Sequence, residues 1–171
     1  MSLLHGNRLR PARLVRAGRI FVLSLLMILV ARSAPAEEIV VHEFSPARYA
    51  DVRIALLDAL IDEGLAPPAV SHFGAMLHRA APQLGHAPDL YEEAEIFSFC
   101  SVKISALLAQ EDRRNIALCP LTIALYSVPT RPKVVFLSYR APQGAAAAAP
   151  LARQLLDRIA DRSLRNTGLR P

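Results

Sequence analysis

Residues 20–31 (IFVLSLLMILVA) form an apolar run broken only by Ser24. This run decides how much of the chain is available to fold. It follows Arg8, Arg10, Arg13, Arg16 and Arg19, with no acid among them, and it precedes the small-residue stretch Ala34-Pro35-Ala36. Positive, apolar and small segments in that order predict a secretory signal cleaved near Ala36. The competing expectation is a retained anchor. Twelve residues rising about 1.5 Å each cover about 18 Å, short of the roughly 30 Å hydrocarbon core. No cysteine follows the run to serve as a lipid-anchor site, and no adjacent arginine pair precedes it, which favours the general export route. The expected location is periplasmic or secreted, with no stable membrane span after cleavage.

Removing residues 1–36 reverses the charge argument. The whole chain has 20 basic and 15 acidic side chains, but the targeting segment carries six of those arginines, Arg32 included, and none of the acids. The remainder is near neutral and slightly acidic. A nucleic-acid partner therefore loses its electrostatic basis. The partner classes left are a small molecule or another periplasmic protein.

The predicted mature chain is long enough for one domain. Residues 38–44 (EIVVHEF) predict a short strand. Ser45-Pro46 then supplies a helix cap and a proline for the first helical position. The helix runs to Glu63, with Val52, Leu56, Ala59 and Leu60 on one stripe, Ile54, Leu57 and Ile61 widening it, and Gly64 stopping it. Residues 69–72 predict a second strand. A brief helix over 73–79 follows, with Phe73, Met76 and Leu77 as its buried side. Residues 81–91 (APQLGHAPDLY) predict a loop. A strand over 94–99 alternates Ile96 and Ser98 against Phe97 and Phe99. A helix over 101–110 comes next, then a hairpin pairing 116–126 with 133–139. Residues 143–150 predict an Ala/Pro-rich linker after a domain spanning 37–142. Residues 151–171 predict a C-terminal amphipathic helix and tail, with Leu151, Leu155, Leu156 and Ile159 on one side. That helix has two possible uses, docking on a partner or membrane surface and packing back onto its own domain. Two acids interrupting its basic face favour packing back.

The middle of the chain resembles the domain of unknown function 302 family. The runs that carry the resemblance are EIFSFCS (95–101), IALCPLTIALY (116–126), HFGAML (72–77), PQLGH (82–86) and VVFLSYRAP (134–142). They cover about residues 40–142 and match the exported, cysteine-containing members. The resemblance implies an α+β fold, a small curved mainly antiparallel sheet with helices packed on one face. It implies no reaction.

Chemistry is concentrated in Cys100 and Cys119. Cys100 is expected at the end of a strand and the mouth of a helix, where amides and dipole favour a thiolate. Cys119 is expected in a strand, facing inward with Leu121, Ile123 and Leu125. Parallel neighbouring strands would hold the two about 10 Å apart, beyond the roughly 7 Å a disulfide tolerates. A strand that ends near Phe97, with 98–100 curling over, would let them join. Export favours pairing. Three states stay open: a structural disulfide, two buried inert thiols, or a redox or metal pair.

A metal or haem reading draws in His72 and Met76, spaced i,i+4, beside the two cysteines, with His78 and His86 nearby. No CxxC, CxxCH or HExxH spacing supports it, so no cofactor is expected. No nucleophile elbow or phosphate loop occurs, and the cluster Glu92, Glu93, Glu95 is expected to be a solvated edge. The functional expectation is a non-enzymatic small-ligand-binding or accessory module that uses a cleft between sheet and helices. The alternative is a thiol-dependent redox or metal/haem-handling protein.

Overall fold

The computed structural model of the chain describes residues 38–140 and 148–168. The predicted signal and most of the predicted linker lie outside them. Five strands form one antiparallel sheet: β1 (Ile39–Phe44), β2 (Ala69–Ser71), β3 (Glu93–Phe99), β4 (Leu121–Ser127) and β5 (Val135–Arg140). Their spatial order is β1-β5-β4-β3-β2. The helices are α1 (Tyr49–Asp62), α2 (Phe73–Leu84), α3 (Val102–Glu111) and α4 (Ala149–Asn166), with a 3-10 turn at Arg113–Leu118. This is the α+β architecture that the sequence predicts.

Period-2 alternation sends one side chain of each pair inward. Phe44, Phe97, Ile123, Leu125 and Leu137 are fully enclosed on that face. Val52, Leu56 and Leu60 of α1 and Leu155, Leu156 and Ile159 of α4 complete the core, with Ile104 and Leu108 from α3. Each such side chain contributes about 1.5–3 kcal/mol by leaving water. The inward face is filled by this core, and a cleft between sheet and helix remains between β3 and α2, lined by Glu93, Glu95, His72 and His78 rather than by apolar groups alone. On the opposite face, Tyr126 stacks on Phe136 with centroids 5.0 Å apart, and Tyr91 meets Tyr126 edge-on.

The C-terminal helix packs back onto its own domain. Arg158 and Arg162 each reach Glu63 at the end of α1, at 3.1 Å. The hydroxyl of Tyr139 donates to Asp157, and the Arg153–Asp157 pair within the helix stands at 3.9 Å. Leu151 is exposed rather than inward.

Several local expectations change. The first helix begins at Tyr49, not after Ser45. The amide of Ala47 donates to the carbonyl of Lys133 at 2.9 Å, which ties residues 45–48 to the β4–β5 connection. Arg48 becomes an extended N-cap with no side-chain cap bond. Ile54 and Ile61 face solvent, so the apolar arc of α1 is narrower than its composition suggests. Gly64, at φ +71°, ends that helix as predicted. α2 runs on to Leu84 through Pro82, which forgoes one i→i−4 bond near the end of the helix before Gly85 closes it. Met76 is exposed, and the buried residue of α2 is Ala81. α2 lies along the start of β3, where a Cβ on Gly74 would stand 3.0 Å from the Ala94 nitrogen. Residues 113–118 form the 3-10 turn instead of extending β4.

Candidate functional site: a groove beside a disulfide

Cys100 and Cys119 form a disulfide, with Cα atoms 6.1 Å apart. The reason lies in strand direction. β3 and β4 are antiparallel neighbours, and Phe99 pairs with Leu121 in the last rung. The two cysteines therefore leave the same end of the ladder side by side. β3 continues to Phe99, so no curl at 98–100 is needed. Cys119 is not in a strand: it follows the 3-10 turn as its C-cap and is only half-buried. Cys100 is exposed and directly precedes Ser101, the N-cap of α3, whose hydroxyl accepts from the Ile104 amide at 3.5 Å.

The bond borders a groove of about 660 Å³ between α3 and the 3-10 turn, lined by both cysteines, Val102, Ala106, Ile116 and Arg113 among others. Val102 and Ile116, which both line this groove, are 84% and 75% exposed, and apolar residues gathered in one concave surface are the kind of exposure that marks a binding site. The Ser105 hydroxyl lies 3.4 Å from the Cys119 sulfur. No carboxylate lines the groove, and among the described residues no ion pair includes Arg113.

A second polar cluster sits near the other end of β3. Glu95 shares the inward register of Phe97 and Phe99 and is buried. Its Oε2 accepts from Arg53 Nε at 2.6 Å and from the Tyr49 hydroxyl at 3.1 Å. His72 Nδ1 stands 2.9 Å from Oε1. Burial, and then the Glu95 charge, push the Tyr49 phenol far above its ordinary range. Glu93 lines the adjoining cleft of about 480 Å³ with Glu92 and His78. Burial raises the Glu93 carboxyl, and repulsion from Glu95 and Glu92 adds to the shift. Glu92 and Glu93 match the predicted solvated edge, but Glu95 does not. The alternation that buries Phe97 carries Glu95 inward as well, a signal present in the sequence. Arg53 and Tyr49, which neutralise and cap it, carried no such signal.

The predicted metal constellation is not assembled. His72 is held by Glu95, while Cys100 lies five residues further along, roughly 16 Å at strand spacing. Met76 is on the exposed side of α2. Among the described residues no three His, Cys, Asp or Glu side chains are grouped to hold a metal, and no helix is long and apolar enough to cross a membrane.

Fold and site together define a small α+β domain with an open antiparallel sheet and a disulfide-bordered surface groove. No family model matches the chain, and no curated protein matches it. Among solved structures, the chain is similar to an uncharacterized conserved protein DUF302 from Bacillus stearothermophilus. The match has a TM-score of 0.58 at 13% identity and covers 72% of this chain and 96% of that one. The likeness bears out the fold that the resemblance implies.

Proposed function

We propose that the chain is an exported, non-enzymatic binding or accessory module, periplasmic or secreted after cleavage near Ala36, whose ligand site is the groove beside Cys100–Cys119. The observation that carries this reading is the exposure of Val102 and Ile116 on either side of one concave surface. Its size suits a small organic ligand. Arg113, with no carboxylate against it, suits an anionic end on an otherwise apolar molecule. The disulfide supports the compartment, since such bonds persist outside the reducing cytosol.

Octanoate is the test ligand. Calorimetric titration of the oxidised protein is expected to give one saturable site. Val102→Asp and Arg113→Gln should each weaken it about tenfold, or about 1.4 kcal/mol, and octylamine should bind more weakly than octanoate. No saturation, or equal affinity in all three proteins, sinks the reading. For compartment, the mature N-terminus of protein expressed in its own host is expected near Glu37, and an intact Met1 contradicts export.

A further inference from the structure

We propose that Cys100–Cys119 is a redox-active disulfide that exchanges with a small thiol having an apolar body and an anionic end, seated in the groove described above. The proposal rests on that binding reading and adds chemistry to it. A purely structural bond needs no access, yet Cys100 is exposed and lines two clefts, the groove of about 660 Å³ and a second of about 540 Å³ on its other side. Exchange requires a thiolate to approach one sulfur along the bond axis, and Cys100 is the more exposed of the two cysteines.

The surroundings favour negative charge on both sulfurs as the bond breaks. α3, of ten residues, starts two positions after Cys100, and Ser101 Oγ takes only the Ile104 amide of its first turn. The unbonded amides at a helix start favour a nearby anion, and Cys100 directly precedes this N-cap. Lys103 lines the second cleft and Arg113 the first. On the other side of the bond, the Ser105 hydroxyl is placed to donate to a leaving Cys119 thiolate. Val102 and Ile116 supply apolar contact for the body of the incoming thiol.

The electrons balance in two displacements. The ligand thiolate attacks the Cys100 sulfur, forming a mixed disulfide there, and the Cys100–Cys119 bond breaks with its electron pair leaving on Cys119. That thiolate takes a proton from solvent. A second ligand thiolate attacks the ligand sulfur of the mixed disulfide, forming the ligand disulfide and releasing Cys100 as thiolate. Two ligand thiols are oxidised to one disulfide, and the protein disulfide is reduced to a dithiol.

The test follows reduction of the folded, oxidised protein by quenched alkylation and mass, with mercaptooctanoate and 2-mercaptoethanol at equal thiolate concentration. Mercaptooctanoate should react at least about tenfold faster, because seating raises its effective concentration at Cys100. Val102→Asp and Arg113→Gln should each slow mercaptooctanoate by a larger factor than 2-mercaptoethanol, so that the ratio of the two rates falls toward one. In Cys119→Ser, mercaptooctanoate disulfide should trap an adduct on Cys100. Equal rates for the two thiols, or reduction no faster than global unfolding, overturn the proposal while octanoate binding still stands. Loss of octanoate binding in the unmodified protein overturns both readings, so the two failures are distinguishable.

Discussion

Replacing both cysteines by serine should cost about 3 kcal/mol of stability. The bond closes a loop of 19 residues, and the loss of chain entropy it imposes on the unfolded state is about 11 cal/mol/K. Serine adds little penalty of its own, since Cys100 is exposed and Cys119 half-buried. The bridged segment has few other anchors. α3 contributes Ile104 and Leu108 to the core, and the 3-10 turn contributes no buried residue. Those two side chains supply about 1.5–3 kcal/mol each, which is similar to the bond itself. Without the bond, the segment should open separately from the sheet. Urea unfolding followed by circular dichroism should show the full loss, with a melting temperature lower by about 10 °C. Hydrogen exchange should show amides of residues 102–118 exchanging well before those of β3 and β4. A loss below about 1 kcal/mol, with protection of 102–118 unchanged, refutes the reasoning.

Further outcomes follow from the buried polar groups and the helix packing. Arg53→Ala removes the closest partner of an almost buried carboxylate and should cost about 1–3 kcal/mol, readable in urea. Arg53→Lys should recover only part of it, because the Nε donor is lost. Tyr49 and Tyr139 are both raised by burial first and by a carboxylate second. A raised phenol favours the protonated native state, so its contribution is complete below about pH 10 and falls as pH rises further. Stability should decline above that pH, and less steeply in Tyr49→Phe. The raised Glu93 carboxyl means that its charge opposes folding. Glu93→Gln should therefore stabilise at neutral pH, with the gain vanishing as pH falls below the carboxylate range. Ile159→Ala leaves a cavity under a fully enclosed position on α4 and should cost about 2–5 kcal/mol. An unchanged midpoint there would mean that α4 is not part of the core.

The fold was largely legible because two periods dominate the sequence. Alternation fixed the inward residues of β3, and the 3.6-residue stripe fixed Val52, Leu56 and Leu60 on α1. Capping chemistry worked at Gly64. It misled at Ser45, where a tertiary hydrogen bond from Ala47 to Lys133 competes with helix extension. Ile116 and Leu118 read as strand by composition, yet they lie outside the last β3–β4 rung and turn back instead. That same turn decided the cysteines. Local sequence gives a strand's side-chain alternation but not its neighbour's direction, and antiparallel pairing is what places the two sulfurs together. The groove was illegible for a related reason. Val102 and Ile116 read as ordinary apolar positions, and only the tertiary fold leaves them uncovered. The Glu95 cluster was half legible, the acid through its register and its partners not at all.

The most direct test of the central claim is intact mass of protein purified from its own compartment and alkylated under native conditions, with and without prior reduction. A disulfide bordering the groove predicts no alkyl adduct before reduction and two afterwards, on Cys100 and Cys119. Two adducts on the unreduced, folded protein would contradict the bond and the chemistry proposed for it.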